Sequence, residues 1–420
     1  MSLITISIAA LILALIGVPL FIVLGCVALA AFFHNGIDPS AVSVEIYRLA
    51  SAPTILTIPL FTFAGYLLAE SNAPKRLFRF TNAMLSWMPG GVAIVGLCLC
   101  AFFTAFTGAS GVTIVALGGL IYPILMGRGH SDKFTMGFIT TSGSLGLLFP
   151  PSLPIILYGI VAGVDIDQLF KAGIVPGVLL IVGLAIYSIL KSGKNNERGK
   201  FELSEAIASF KGAFFELLLP IAVLVGIYGG FVTVTEAAAF TAFYILIIEC
   251  FVYKDLSLTK DVPGIIKDSM TMVGAILIIL CCALGLTNFL VDEEVPNQLF
   301  TAFSGVLTNK YAFLLFLNVF LLIVGSLMDI FSAIIVVVPL ILPLAQQFDI
   351  HPIHLAIVFL TNLEIGYITP PVGINLFISS IRFKRPITEL YRSALPFLFI
   401  LLICLAIITY VPAISLLWVQ

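Results

Sequence analysis

Eleven apolar stretches, most of them long enough to cross a hydrocarbon layer of about 30 Å as a helix, fix the solvent in which this chain folds. They lie near 2–32, 54–70, 91–126, 135–163, 174–190, 213–232, 234–252, 270–290, 311–346, 353–381 and 394–418. With 60% of residues hydrophobic and 10% charged, polar groups are too few to clothe a water-soluble fold. Lipid offers the main chain no hydrogen bonds, so runs of this length read as helices, and the fold class is an all-α polytopic membrane protein. The first run, from Ser2 to about Phe33, lacks a basic leader and exceeds the roughly 7–15 apolar residues of a signal peptide. It is expected to remain as a span, kinked or broken at Pro19.

A formal charge of −2 gives no basic surface for nucleic acid and no acidic tail. The seven cysteines sit mostly inside apolar runs, where they behave as small hydrophobes rather than as disulfides or metal ligands. His34, His130, His351 and His354 fall in or beside loops, and no nucleotide-binding loop or HExxH motif is present. A membrane-embedded enzyme and an ATP-driven pump are therefore disfavoured, which leaves an ion gradient as the energy source.

Two stretches, 91–126 and 311–346, are too long for one crossing and are interrupted by TGASG at 107–111 and GSLMD at 325–329. Each reads as two half-helices meeting at a tip, a re-entrant hairpin. The linker KSGKNNERGKFE at 191–202 is rich in Lys and Arg, which places it in the cytoplasm. Counting from there puts Lys75, Arg76, Arg79, Arg128, Lys133 and the basic residues of 254–267 and 382–392 inside, and leaves Arg48, Lys171 and Lys310 outside. The expected topology has nine crossings, with the N-terminus cytoplasmic and the C-terminus periplasmic. Stretches at 36–50 and 256–269 are expected along the interface or as plain loops.

GLLFPPSLPIILYG at 146–159 matches GYITPPVGINLFIS at 366–379, an offset of 366 minus 146, or 220. The same offset carries Pro123 to Pro343 and Gly65 to Gly285, while Pro74, Leu77 and Phe78 meet Pro296, Leu299 and Phe300 at 222. The basic loop Lys75 to Arg79 then corresponds to the acidic Asp292, Glu293 and Glu294, so the two halves have opposite sidedness. This predicts an inverted-topology repeat. Residues 1–190 form the first repeat, with hairpin 91–126 and broken helix 135–163; 191–212 is a cytoplasmic linker and 213–232 a connecting span. Residues 233–420 form the second repeat, with hairpin 311–346 and broken helix 353–381. Such repeats belong to secondary transporters whose site lies near the midplane.

The Pro-Pro pairs at 150–151 and 370–371 break helices in mid-span, and the carbonyls they free need protein, substrate or a cation as partner. The first tip offers the hydroxyls of Thr107 and Ser110 with the close-approach backbone of Gly108 and Gly111. Helix N-termini beyond the tips face an anion. The second tip carries Gly325, Ser326, Asp329 and Ser332. Asp329 is the foremost intramembrane carboxylate, able to ligate sodium, carry a proton or cap the next half-helix; Glu364 is a second candidate. Glu216, Glu236 and Glu249 read as interfacial, near span ends or starts.

Along nearly its whole length the chain resembles the large membrane subunit (M, or DctM-like) of tripartite ATP-independent periplasmic (TRAP) transporters. GASGVTIVALGG at 108–119, GLLFPPSLPIILYG at 146–159 and GYITPPVGINLF at 366–377 carry the resemblance. It implies a sodium-driven importer of small carboxylates in a bacterial inner membrane, with an elevator-like transport domain moving against a scaffold. It also implies two partners: a small four-helix membrane subunit (Q, or DctQ-like), expected as a separate chain, and a soluble periplasmic substrate-binding protein (P). The coupling ion implied is Na+. Its sites would use Ser110 with backbone around Gly146 and Pro150, and Asp329 with Gly366 and Thr369. Substrate would touch Thr107, Gly111, Ser152 and Ser332. With no intramembrane Arg or Lys in view, half-helix N-termini or a loop arginine would take the carboxylate, and substrate identity stays open between sialic acids, C4-dicarboxylates and related acids.

Two other readings remain at this point. One is a stand-alone sodium-coupled divalent-anion symporter needing no periplasmic partner. The other is a channel or structural scaffold without sodium-coupled flux.

Overall fold

The computed structural model describes residues 18–34, 40–88, 90–191, 201–292 and 309–419, with Leu13, Gly36 and Asp38 as isolated positions. Most of the first apolar run before Pro19, the linker centre 192–200, and Glu293, Glu294, Pro296, Leu299 and Phe300 lie outside the described residues. Everything regular among the described residues is helical. In chain order the helices are α1 (Leu20–His34), α2 (Ser40–Ala50), α3 (Thr57–Glu70), α4 (Ala73–Leu85), α5 (Gly91–Thr107), α6 (Ser110–Gly127), α7 (Asp132–Ser142), α8 (Leu153–Ala162), α9 (Ile166–Lys191) and α10 (Leu203–Gly212). The chain continues with α11 (Phe214–Tyr228), α12 (Val234–Ile247), α13 (Val262–Asp292), α14 (Lys310–Leu327), α15 (Ile330–Gln347), α16 (Pro352–Gly366), α17 (Ile374–Phe383), α18 (Ile387–Tyr410) and α19 (Ala413–Leu416).

Among the described residues eight helices are long and apolar enough to cross a membrane, and up to ten spans result when each of two bent pairs is one span. Along α9, Val178, Val182, Ile186 and Leu190 are exposed at a spacing of four, an apolar stripe on one face of the helix suited to lipid or to another membrane helix rather than to water. Polar side chains turn inward instead. Asn362 on α16 donates to Asn318 Oδ1 on α14 at 2.7 Å, and Asn318 donates to Thr409 Oγ1 on α18 at 3.2 Å, so three helices share one buried hydrogen-bond chain.

Backbone events recur 220 residues apart. Each Pro-Pro bond, 150–151 and 370–371, is cis. The amide of Phe149 bonds to Gly146 O at 3.0 Å, and that of Thr369 to Gly366 O at 2.9 Å. His130 N reaches Leu125 O and Ile350 N reaches Ala345 O, both at 3.1 Å, through turns with positive φ at Gly129 and Asp349. Helix α5 with α6, and α14 with α15, form the two hairpins. The broken helices pack on them: the turn at 145–148 and α8 against α5 and α15, and α16 against α14. The long helix α13 lies along α1, α2 and α3 on one side and reaches hairpin helix α15 on the other.

Within the expected linker, Leu203–Gly212 is a helix whose Ala206 is buried and whose Phe210 packs on Phe80 of α4 at 5.9 Å. It meets α11 at a bend of 68°. The stretch 256–269 is not a separate interfacial segment: α13 starts at Val262, with Pro263 in the first turn, where a missing N–H costs nothing. Glu216 and Glu249, read as interfacial, are 2% and 1% exposed and paired with Arg76 inside the protein, and Glu236 sits in a capping box with Thr233.

Candidate functional site

The first hairpin turns at Gly108, whose φ of +64° lets its N–H close α5 on Thr104 O at 2.8 Å. A Cβ here would come within 2.5 Å of Leu153, the first residue of α8, so only glycine lets the tip seat against the first break. Helix α6 then begins at Ser110 behind Ala109, whose side chain cannot cap it. Its first bond is Thr113 N to Ala109 O at 3.4 Å, and among the described residues the amides of Ser110, Gly111 and Val112 have no protein acceptor.

The second tip is built differently. Asp329 Oδ1 accepts from the amides of Phe331 and Ser332, each at 3.0 Å, and Oδ2 accepts from Ser332 Oγ at 2.6 Å. The hydroxyl oxygen of Tyr367, just past α16, accepts from Ile330 N at 2.7 Å. Of the three roles open to Asp329 from sequence, the geometry displays the cap, and α15 starts with its first amides satisfied while α6 does not.

Both tips open on one cavity of about 390 Å³. Ser110 and Gly111 line it from the first tip, Asp329 and Ser332 from the second, and Met272, Ala275, Ile276 and Ile279 of α13 close the opposite wall. Four of the ten residues singled out in the sequence thus meet around one space. The other six are not in its wall. Thr107 is fully buried, its hydroxyl turned to the Ala109 carbonyl at 3.4 Å. Ser152 donates to Leu147 O at 2.5 Å across the first break, and Gly146 lies so close to α5 that a Cβ would be 2.1 Å from Ala101 O. Pro150 stands in the same break. Gly366 packs on Gly325 of α14, and Thr369 donates to Ile365 O at 2.8 Å. Among the described residues no lysine or arginine lines the cavity.

Sequence reasoning missed Tyr367 and the α13 wall. The α13 side chains are apolar and carry no signal that separates a cavity wall from a lipid face. Asn375 was also missed, although an amide in an apolar run two residues after Gly373 is a visible anomaly. It is fully buried and accepts from Ser110 Oγ at 2.6 Å.

Residues 7–414 match the family described as tripartite ATP-independent periplasmic transporter, DctM component. The chain belongs to the DctM family. Among its relatives, the isethionate TRAP transporter permease protein DctMQ of Oleidesulfovibrio alaskensis is 36% identical over 95% of this chain, which spans 63% of that longer protein. The C4-dicarboxylate TRAP transporter large permease protein DctM of Pseudomonas aeruginosa is 34% identical, covering 90% of this chain and 88% of its own. The sialic acid TRAP transporter large permease protein SiaM of Vibrio cholerae is 30% identical, covering 87% and 86%. The crystal structure of the Alcanivorax borkumensis YdaH transporter, at 16% identity, shares the fold with a TM-score of 0.61 over 90% of this chain and 88% of that one. A DctM-family chain is a multi-pass transporter permease.

Proposed function

We propose that this DctM-family chain is the transport subunit of a tripartite importer that brings a small organic acid, of the class spanned by sialic acids and C4-dicarboxylates, across a bacterial inner membrane, driven by sodium. The observation that carries the reading is the meeting of two hairpin tips, each set against a Pro-Pro break, at one cavity faced by α13. An acid group would sit at the open N-terminus of α6, where the amides of Ser110, Gly111 and Val112 and the helix dipole supply positive potential in place of a basic side chain. Ser332 would shape its surroundings directly, with Thr107 and Ser152 supporting the tip and the break from behind the cavity wall.

Sodium fits the oxygen-rich surroundings of the tips and breaks. Ser110 with backbone near Gly146 and Pro150 would hold one ion, and Asp329 with backbone near Gly366 and Thr369 a second. The carbonyls of Gly146 and Gly366 each accept one amide, which leaves a lone pair on each. When bound, the ion supplies positive charge that offsets the approach of an anion to a site containing Asp329. The tips and breaks would move together as a transport domain against a scaffold that includes α13, in the manner of an elevator. A small four-helix membrane subunit and a soluble periplasmic binding protein complete the system, with the N-terminus of this chain inside and its C-terminus outside.

The test is uptake by liposomes containing this chain and its small subunit, using labelled sialic acid, succinate and isethionate, with and without a sodium gradient and the loaded binding protein. Uptake of one acid that needs both establishes the reading. Sodium-driven uptake without the soluble protein would favour a stand-alone symporter, and uptake indifferent to sodium would remove the coupling.

A further inference from the structure

Where the first hairpin tip touches the helix after the second break, three groups fix the direction of one hydrogen bond. Asn375 Nδ2, on α17, lies 3.2 Å from the carbonyl oxygen of Thr140 on α7. A carbonyl only accepts, so the amide must turn its NH2 to Thr140 and its oxygen to Ser110. Asn375 Oδ1, 2.6 Å from Ser110 Oγ, has no hydrogen to give, and Ser110 therefore donates its single hydroxyl hydrogen. The reverse placement of the amide would set two acceptors, Oδ1 and the Thr140 carbonyl, against each other in a site where Asn375 is fully buried and Ser110 is 4% exposed. The neighbouring Thr140 hydroxyl, 2.9 Å from Ser379 Oγ, ties α7 to α17 a turn further along.

With its hydrogen committed, Ser110 has only lone pairs left to offer, and those suit a cation rather than an anion. We propose that Asn375 is a positioning residue for the coupling-cation site: by accepting the Ser110 hydroxyl hydrogen it turns that oxygen's lone pairs toward a small monovalent cation. This rests on the sodium reading given above and adds to it a residue from the other half of the chain. The bond joins positions 265 residues apart, so the ligand on the first hairpin is oriented by the helix that follows the second break. Any rearrangement of α17 relative to the first tip frees the Ser110 hydrogen and degrades the cation site, which links the state of one half to ion affinity in the other.

The chain is purified with its small subunit, and its thermal midpoint is followed as sodium chloride replaces choline chloride at constant ionic strength. Wild type is expected to show a saturable rise. Asn375→Leu and Ser110→Ala should each raise the half-saturating sodium concentration about tenfold, the loss of roughly one oriented ligand. The double variant should be no worse than Ser110→Ala, since Asn375 acts through that hydroxyl, whereas a merely structural asparagine would add its own effect. Ser110→Thr should restore near wild-type half-saturation. If Asn375→Leu lowers the choline midpoint too far to titrate, Asn375→Ala removes the acceptor without placing apolar bulk against the Thr140 carbonyl and should show the same roughly tenfold rise. Wild-type half-saturation in Asn375→Leu or Asn375→Ala, or an additive double variant, would overturn the role of Asn375 while leaving sodium coupling intact. A wild-type midpoint indifferent to sodium would instead overturn the sodium reading itself.

Discussion

Arg76 donates to Glu249 at 2.8 Å in a corner where one guanidinium meets three carboxylates, those of Glu216, Glu249 and Asp255, with the Tyr253 ring 3.8 Å beneath it. The Glu216 and Glu249 side chains are 1% exposed, so Arg76 is what offsets two charges that water does not reach. Burial opposes the charge on Arg76, but the surrounding carboxylates prevail and raise its affinity for the proton. It ties α4 to α11 and to the end of α12. Arg76→Leu strands those carboxylates and is expected to destabilise the protein by about 3–5 kcal/mol, read from denaturant unfolding of the purified chain. Arg76→Lys should recover only part, since a single ammonium lacks the planar fork that reaches three partners.

The same corner carries an acid sensitivity. Burial disfavours charge on the Asp255 carboxyl, yet hydrogen bonds from Arg76 and from Asn72 outweigh it and hold the group below the ordinary 3.8. A depressed folded value means that this stabilisation is complete above the unfolded value and disappears as pH falls through the folded one. The melting midpoint should therefore drop as pH goes from about 5 to about 3, and Asp255→Asn should be less stable than wild type at neutral pH but show a shallower drop. Equal slopes in the two proteins would assign the acid sensitivity to other groups.

Asp329 has two separable duties. As the cap of α15 it satisfies two amides, so Asp329→Ala is expected to cost about 1 kcal/mol of stability. Asp329→Asn keeps an acceptor for those amides and should melt near wild type, yet it lacks the charge proposed for sodium binding. Its half-saturating sodium concentration in uptake should rise by about tenfold or more. Normal sodium dependence in the asparagine variant would leave Asp329 as a cap alone.

What was legible in the sequence was what has local chemistry. Pro-Pro cannot continue a helix, and TGASG between two apolar runs cannot be lipid-facing backbone, so breaks and tips were visible from composition alone. Asp329 stood out as a carboxylate among apolar neighbours, whereas Glu236 was read only as interfacial and its capping box with Thr233 emerged from the structure. Arg76 was read only as a loop charge expected in the cytoplasm, because its partners lie 140, 173 and 179 residues away. The α13 wall was illegible for a different reason. In lipid the residues that line a cavity and those that face hydrocarbon share one alphabet, and only the packing of α13 beside the hairpins separates them.

Helices α14 and α16 cross at Gly325 and Gly366, so closely that a Cβ on Gly366 would stand 2.6 Å from Gly325 Cα and carbonyl carbon. The neighbours are backbone atoms and cannot swing aside, so Gly366→Ala must part the helices. Tyr367, the next residue, holds the first amide of α15, and separation here would loosen the second tip. The expected result is loss of most uptake together with a lowered melting midpoint. Gly274→Ala on α13, where a Cβ meets nothing within 4 Å, should instead be neutral or stabilising by up to about 1 kcal/mol.

The cavity itself is tested from the α13 side. Ala275 lines it without belonging to either tip or break. Ala275→Trp places an indole in a space of about 390 Å³ and leaves Ser110, Asn375 and Asp329 untouched. Uptake of the transported acid should fall by about tenfold or more, while the sodium-dependent rise in melting midpoint stays as in wild type. Met272→Ala, which widens the same wall, should relax the size limit and admit bulkier acids in competition assays. If Ala275→Trp transports normally, the acid does not pass between the hairpin tips and α13, and the substrate site must be sought behind the tips, at the Pro-Pro breaks.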